Sequence, residues 1–179
     1  MGRALVIVDF QNDFTPGGAL AVPAGDEIAD RINKLAASGD YDLVVATRDW
    51  HPPDHGSFAE HGGPWPAHCV QGSPGAELHP ALDRASIDVV VDKGQDPGTE
   101  GYSGFEGTRL GELLRERGIT QLTIVGLATD YCVKNTALDG LREGFQVTVD
   151  TTAVRGVEVS EGDSERALAE VRAAGGVMA

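Results

Sequence analysis

One cysteine lies in a setting that suits a nucleophile. Cys132 belongs to the segment GLATDYCV (126–133), which follows the apolar run 122–125 and precedes apolar residues at helical spacing. This order predicts a strand, a tight turn of small residues and a helix that begins with the cysteine. Unpaired backbone N–H groups and the positive helix end favour a thiolate there, and they can also hold a developing oxyanion. A free cysteine is more often a buried hydrophobic residue, so its assignment depends on the rest of the chain.

Three further ionisable residues follow predicted strands. Asp9, Asp49 and Lys93 each lie at or just past the end of an apolar run that predicts a buried strand. Because the carboxyl ends of parallel strands share one edge of a sheet, these side chains and Cys132 are expected to meet. Asp9 is the candidate general acid and base, provided that it is partly desolvated, and Lys93 supplies positive charge. Singly, such residues usually cap turns or face solvent. Their convergence favours nucleophilic catalysis.

A group of histidines and carboxylates between residues 49 and 68 has the composition of a metal site. Imidazole and carboxylate together suit zinc, iron or manganese. The preferred ligands are Asp49, His51, His55 and His68. Two prolines between His51 and His55 exclude a helix interior, so a bent loop must bring the two rings together. The alternative ligands are Asp54, His61 and His79.

The residues around these positions predict alternating strands and helices. Strands are expected at about 3–10, 43–46, 87–91, 122–125 and 146–149, and helices at about 25–38, 108–117, 132–144 and 163–173. This alternation predicts an α/β fold in which helices cover both faces of a parallel sheet. Residues 48–86 break the pattern and contain six of the nine prolines and all five histidines. Two tryptophans in this segment predict an ordered, packed loop, which makes it a candidate for function.

The composition argues against several classes of function. The chain has 179 residues and a net charge of −14, which disfavours a nucleic-acid or anionic-membrane partner. No apolar run has the length of a membrane span. Two cysteines, Cys69 and Cys132, do not make a disulfide framework, so a cytoplasmic protein with reduced thiols is expected. The length predicts a single domain over 1–179 and leaves open whether the protein is a monomer or a homo-oligomer.

Taken together, the motifs resemble those of the nicotinamidase/pyrazinamidase family of the isochorismatase-like cysteine hydrolases. The shared segments, in one collinear order, are DFQNDF (9–14), DWHPPDH (49–55), WPAHCV (65–70), KG (93–94), YSGFEG (102–107) and GLATDYCV (126–133). The resemblance implies a three-layer α/β sandwich with a mostly parallel six-stranded sheet. It also implies hydrolysis of a small amide, nicotinamide, to nicotinate and ammonia through a thioester, with pyrazinamide as an alternative substrate.

The resemblance assigns roles to individual residues. Asp9, Lys93 and Cys132 match the catalytic triad. The ligands of one divalent metal ion, zinc, iron or manganese, are matched by Asp49, His51, His55 and His68. In that family the metal is thought to hold the pyridine nitrogen of the substrate.

Other matched residues concern the substrate. Phe14 and Trp65 match aromatic residues that enclose the ring, and Tyr102 lies nearby in the motif. The backbone N–H groups of Ala128 and Cys132 match the oxyanion hole, and the Leu127–Ala128 bond matches a cis peptide of the fold. Tyr131, a further expected substrate contact, stands where the best-known bacterial members carry histidine. That departure and a longer loop at 95–100 bear on substrate preference, and the final strand is expected to be short, at 176–179.

Two other interpretations compete with this one. Another amidase of the same superfamily, acting on a ureido or carbamoyl compound, would explain the thiol but not the metal-binding residues. A non-catalytic metal-binding or thiol-redox protein would use the histidine-rich loop with Cys69 and Cys132. The chain has no Cys-x-x-Cys pair to support redox exchange, and that function would leave Asp9 and Lys93 unexplained.

Overall fold

A six-stranded parallel sheet forms the centre of the molecule. In the computed structural model, which describes all of residues 1–179, the strands follow the spatial order β3-β2-β1-β4-β5-β6. They are β1 (Gly2–Val8), β2 (Leu43–Asp49), β3 (Val89–Lys93), β4 (Ile119–Leu127), β5 (Gln146–Arg155) and β6 (Val177–Met178). Every neighbouring pair is parallel, so all carboxyl ends lie at one edge. The predicted fold class is confirmed.

Four helices cover the two faces of this sheet. They are α1 (Ala29–Ala36), α2 (Leu110–Glu116), α3 (Lys134–Arg142) and α4 (Asp163–Ala173). Alternate residues of β1 face opposite layers: Leu5 and Ile7 pack in the core that holds Ile32 of α1, whereas Val6 packs in the core that holds Leu114 of α2. The apolar run of β1 is therefore buried on both sides, as expected for a central parallel strand.

Several element boundaries differ from the predicted ones. The helix expected over 25–38 is shorter, because Gly25–Ile28 forms a 3₁₀ turn before α1. The helix expected to begin with the cysteine starts at Lys134, since Thr129–Val133 forms a π-helical turn. β4 and β5 are longer than their apolar runs, because pairing inside the sheet tolerates the polar residues at their ends.

The segment between β2 and β3 is ordered and folds over the carboxyl edge of the sheet. It contains three short 3₁₀ turns and no long element. His51 makes an isolated bridge with Val70, and Phe58 makes one with Trp65, so the segment folds back on itself. The segment between β2 and β3 is thus positioned to form a wall above the strand ends.

Across the chain, none of the helices combines the length and apolar character that crossing a lipid bilayer requires.

Candidate active site

The carboxyl edge of the sheet gathers the four expected ionisable side chains. Asp9 directly follows β1, Asp49 and Lys93 are the last residues of β2 and β3, and Cys132 lies in the π-helical turn after β4. Asp49 and Lys93 are direct neighbours in the β2–β3 register. None of the four is more than 5% exposed. The sheet topology therefore brings residues that are distant in sequence into one buried cluster.

Lys93 is the centre of this cluster. Its Nζ lies 2.8 Å from Asp9 Oδ2 and 2.6 Å from Asp49 Oδ1, donates to Gly101 O at 2.8 Å, and lies 3.5 Å from Cys132 Sγ. Burial disfavours the ammonium form, but the two carboxylates outweigh it and hold the pKa of Lys93 well above its usual value. The lysine is therefore a fixed positive charge between the thiol and the acids.

Asp9 has the properties of a base that can accept the thiol proton. Its Oδ1 accepts a hydrogen bond of 2.8 Å from Thr47 Oγ1, and Asp9, Asp49 and Cys132 each offer an atom within 4.8 Å of the others. Burial raises the pKa of Asp9 to about 6, against the opposing effect of Lys93. At pH 7 the carboxylate is therefore ionised yet basic enough for proton transfer. Its burial supplies the desolvation that a carboxylate base requires.

Cys132 is a buried thiol with a raised pKa. Burial raises its pKa well above the usual value, and the carboxylate of Asp9 adds to this while Lys93 opposes it. Any favourable effect of the backbone N–H groups on the thiolate does not bring this pKa down to its usual value, because burial has the largest effect. The cluster at neutral pH consists of a thiol, an ionised carboxylate and an ammonium group. A thiol in this state needs the neighbouring base.

Three of the four expected metal ligands converge beside this cluster. Asp49, His51 and His68 each offer an atom within 4.8 Å of the others. Asp49 Oδ2 lies 3.2 Å from His51 Nε2 and 3.8 Å from His68 Nε2. Burial disfavours the Asp49 carboxylate, but Lys93 and His51 hold its pKa well below the usual range, so it is ionised. One carboxylate oxygen thus faces Lys93 and the other faces the imidazoles.

His55, the fourth expected metal ligand, lies beside the group formed by Asp49, His51 and His68 but is not part of it. Its ring centroid lies 3.9 Å from that of His51, and its Nε2 is buried without a hydrogen-bond partner. Burial and the neighbouring His51 lower the pKa of His55 to about 4, so the ring is neutral at pH 7, as a metal ligand must be. A buried, unpartnered imidazole nitrogen on a ring that lies against His51 fits a divalent cation.

The other ring nitrogen of each histidine is anchored. The Nδ1 contacts are His51 with Gly94 O at 2.7 Å, His55 with Ser57 Oγ at 2.7 Å, and His68 with Pro66 O at 2.8 Å. Gly94 has φ +67°, and a Cβ there would lie 2.5 Å from His51 Cε1, so only glycine fits. Such contacts orient metal-binding rings and set their tautomers.

The alternative ligands lie elsewhere. Asp54 and His61 are exposed. His79 packs edge-on against Phe10, with ring centroids 5.4 Å apart, and its Nδ1 accepts a hydrogen bond from Ala81 N. The geometry therefore favours the preferred ligand set over the alternatives.

One cavity connects the thiol with the cluster of Asp49, His51 and His68. It contains about 420 Å³ of space between atoms, part of it open to solvent. Its lining residues are Phe14, Leu20, Asp49, His51, Ser57, Trp65, His68, Glu100, Tyr102, Ala128, Tyr131, Cys132 and Val157. All five residues expected to contact substrate are among them. The cavity is mainly apolar with a few ionisable groups, which is typical of a small-molecule site.

An aromatic wall closes one side of this cavity. Trp65 Nε1 donates a hydrogen bond of 3.0 Å to Tyr102 OH. Tyr131 packs edge-on against Trp65, with ring centroids 5.0 Å apart, and lies 5.5 Å from the ring of Tyr102. On the opposite part of the lining, the ring centroids of Phe14 and His68 are 5.5 Å apart. Tyr131 thus belongs to a packed aromatic group.

The turn after β4 presents backbone groups to the same cavity. The Leu127–Ala128 peptide is cis, as the resemblance implies. The N–H of Ala128 donates no hydrogen bond to the rest of the chain, whereas its carbonyl oxygen accepts from the N–H groups of Tyr131 and Val133. Ala128 and Cys132 both line the cavity. The turn is therefore suited to hold an oxyanion next to the sulfur.

Sequence reasoning missed several residues that support the site. Gln11 holds the end of β2, because its side chain donates to Asp49 O and accepts from Asp49 N, both at 2.8 Å. Thr47 binds Asp9. Leu20, Glu100 and Val157 complete the cavity lining. Gln11 and Thr47 each lie two residues from a predicted site residue and near a strand end, so the sequence could have indicated them. Nothing in the sequence around Leu20, Glu100 or Val157 indicates that they line the cavity.

Comparisons with known proteins identify the family of this chain. The isochorismatase domain family matches residues 3–179. A nicotinamidase from Escherichia coli is 44% identical over 98% of this chain and 93% of that protein. A pyrazinamidase from Pyrococcus horikoshii in complex with zinc is 47% identical with a TM-score of 0.92, over 100% of this chain and 99% of that one. A protein of L. infantum in complex with nicotinate is 38% identical with a TM-score of 0.94, over 99% and 92% of the respective chains. The chain belongs to the isochorismatase family and groups with its nicotinamidase/pyrazinamidase members.

Proposed function

We propose that this enzyme hydrolyses nicotinamide to nicotinate and ammonia through a thioester on Cys132, with pyrazinamide as an alternative substrate. The observation that carries the proposal is the single cavity that has the thiol on one side and Asp49, His51 and His68 on the other. A flat ring amide in this cavity could place its carbonyl carbon at the sulfur while its ring faces the aromatic wall. Relatives named nicotinamidase support the choice of substrate.

The first half of the reaction uses the thiol and its base. Asp9 takes the proton from Cys132, and the sulfur forms a bond to the amide carbon while the carbonyl electron pair moves to the oxygen. The oxyanion accepts hydrogen bonds from the backbone N–H groups of Ala128 and Cys132. When the carbonyl re-forms, the C–N bond breaks and Asp9 gives its proton to the nitrogen, which leaves as ammonia. Lys93 stabilises the negative charge that passes between carboxylate and sulfur.

The second half repeats the same proton transfers with water. Asp9 removes a proton from water, the oxygen adds to the thioester carbon, and the C–S bond breaks to give nicotinic acid and the sulfur of Cys132. The acid loses a proton to become nicotinate, and the sulfur regains one from Asp9. Asp9 serves as base and as acid in both halves of the reaction. Its pKa, raised to about 6 and so close to neutral pH, suits both tasks.

The proposed ligands of one divalent metal ion are Asp49, His51, His55 and His68. Zinc is the first candidate, because a similar pyrazinamidase was solved with zinc; iron and manganese suit the same donors. A bound cation would supply a Lewis acid that holds and orients the ring nitrogen of the substrate. The protein itself contributes imidazole rings fixed through Nδ1, and the Asp49 carboxylate, one oxygen of which contacts Lys93.

The decisive experiment measures ammonia and nicotinate from purified protein and nicotinamide, with metal content determined on the same sample. We expect stoichiometric products, no turnover in Cys132→Ala, and alkylation of Cys132 that substrate slows. Cys69→Ala is the matched control, because Cys69 is also buried but is absent from the cavity lining. Full activity in Cys132→Ala, or labelling at Cys69 alone, would remove the nucleophile assignment.

A ureido or carbamoyl amidase remains the second candidate, and hydrolysis of such a compound in preference to nicotinamide would support it. The histidine cluster argues against this substrate class, because hydrolysis of a ureido or carbamoyl compound by the thiol would leave the cluster without a role. Residues 1–179 are further proposed to act as a single domain. A cytoplasmic location is also proposed, which the two free cysteines support.

A further inference from the structure

We propose that Thr47 is a positioning residue that aims the Asp9 carboxylate at the thiol of Cys132. The inference rests on the proposed function, because it concerns the acid–base group of that reaction. Thr47 lies in β2, next to the end of β1, and is fully buried. It is not among the residues that line the cavity, and its side-chain hydroxyl binds Asp9, so its effect on the reaction is expected to pass through Asp9.

Thr47 binds Asp9 through both its backbone and its side chain. The N–H of Asp9 lies 3.2 Å from Thr47 O and 3.3 Å from Thr47 Oγ1. Asp9 itself has φ +47°, in the left-handed region that is rare for a residue with a side chain. The contacts with Thr47 thus hold the turn by which the chain leaves β1 and sends the Asp9 side chain into the cluster.

The side-chain hydrogen bond fixes the carboxylate plane. An ionised carboxylate only accepts, so the hydroxyl of Thr47 donates to Asp9 Oδ1, at 2.8 Å. The other oxygen, Oδ2, lies 2.8 Å from Lys93 Nζ. Two strands, β2 and β3, therefore hold one oxygen each. Rotation of the carboxylate would break one of these contacts inside a site where Asp9 has no exposed surface.

The rotamer of Thr47 is fixed in turn by a glycine. A Cβ on Gly104 would lie 3.1 Å from Thr47 Cγ2, so the methyl group packs closely against that backbone. With the methyl group held there, the hydroxyl faces Asp9. Valine at this position would put a methyl group where the hydroxyl is now, with almost no change in volume. Serine would keep the hydroxyl and lose only the methyl group.

Loss of the hydroxyl leaves Asp9 Oδ1 buried without a donor. The carboxylate is then expected to turn both oxygens toward Lys93, its remaining strong partner, and away from the sulfur. A base that is poorly aligned with the thiol slows proton transfer without changing how the substrate ring is held. The signature of this role is a fall in kcat at unchanged KM and metal content.

The test compares Thr47→Val, Thr47→Ala and Thr47→Ser in the full chain loaded with its metal. We expect kcat to fall about 10- to 100-fold in the valine and alanine variants, less than most of the roughly 100- to 10,000-fold that a general acid–base group contributes, because Asp9 itself is still present. In the serine variant kcat is expected to stay within about threefold of the wild type, since the donor is kept. KM and metal content should stay within about twofold in all three, as no cavity residue changes. The alanine variant covers the case in which valine prevents folding.

A second readout is independent of the substrate. The rate at which iodoacetamide alkylates Cys132, followed by mass spectrometry without nicotinamide, should fall in the valine and alanine variants and recover in the serine variant. Wild-type kcat and alkylation rate in Thr47→Val would overturn the proposal, as would a serine variant impaired as much as the valine variant. Absence of nicotinamide hydrolysis in the wild type would refute the proposed function, while the alkylation rates would still decide the role of Thr47.

Discussion

The two sides of the cavity are built in different ways. The proposed catalytic side consists of residues at or just past strand ends, and Lys93 contacts all three of Asp9, Asp49 and Cys132. The metal side consists mainly of His51, His55 and His68 from the irregular segment between β2 and β3. The first side is held by the sheet, and the second by contacts of the Nδ1 atoms with neighbouring groups and by isolated bridges within the loop.

This difference implies that the two sides fail separately. A change on the catalytic side should stop the chemistry and leave the loop and its metal in place. A change on the loop side should lower metal affinity and affect turnover only through that loss. Asp49 is the exception, because one of its oxygens contacts Lys93 and the other faces the imidazoles. The predictions below test this separation.

The largest effect is expected from Cys132→Ala. Removal of the nucleophile should lower kcat by about 10⁴-fold or more, as in other enzymes with covalent intermediates. Metal content should equal that of the wild type, because the sulfur is outside the group that Asp49 forms with His51 and His68. The measurement is single-batch determination of turnover and bound metal. Loss of metal in this variant would show that the two sides are one structural unit.

His51→Ala is the counterpart on the loop side. Its Nε2 faces Asp49 Oδ2 at 3.2 Å, so its removal opens the ligand cluster. Loss of a group that only orients a metal ligand lowers metal affinity about 10- to 100-fold. Loss of a ligand itself should therefore lower metal affinity by about 100-fold or more. Activity should fall in proportion to bound metal, while iodoacetamide still alkylates Cys132. The control is His61→Ala, an exposed histidine outside the cluster, which should bind metal normally.

The same difference explains how much the sequence could reveal. Asp9, Asp49 and Lys93 were predictable as neighbours because the topology of a parallel sheet forces strand ends together. His55 and His68 lie in a loop, and no periodic pattern places a loop, so the sequence made them preferred ligands but left Asp54, His61 and His79 as alternatives. The raised pKa of Cys132 was not predictable, because the sequence shows a helix start but not the extent of burial that outweighs it. Glu100 was missed since exposed loop residues carry no local signal.

The pH dependence should be set by the catalytic side. Burial raises the pKa of Asp9 to about 6, and the reaction requires its carboxylate form. Protonation below that pKa removes the base, so kcat/KM should fall as the pH decreases through about 6, by about tenfold per unit well below it. The profile should be measured from pH 5 to 8 with metal content determined at each point. A fall that follows metal loss at every pH would assign it to the histidines instead.

Ser57→Ala should produce a smaller change confined to the loop side. Ser57 Oγ lies 2.7 Å from His55 Nδ1 and so helps to orient that ring. Removal of this contact should weaken metal binding by about tenfold, as for other groups that orient ligands. With metal in excess, kcat should return to the wild-type value within about twofold, since the thiol cluster is unchanged. A persistent loss of kcat under saturation would contradict the separation of the two sides.

The smallest effect is expected at the mouth of the cavity, where the two sides meet. Glu100 lines the cavity and also an outer depression that shares Ser57 and Tyr102 with it, and it forms no ion pair. The substrate is neutral and the product is an anion, so a carboxylate at the mouth should disfavour only the product. In Glu100→Gln, inhibition by nicotinate should strengthen about two- to fivefold at low salt, and the change should shrink at 0.5 M salt, where charges are screened. KM for nicotinamide and inhibition by the neutral 3-pyridinemethanol should not change.

Glu165→Gln, which removes the same charge from an exposed position outside the cavity lining, is the control. An equal effect in both variants would assign the change to net charge instead of to the mouth.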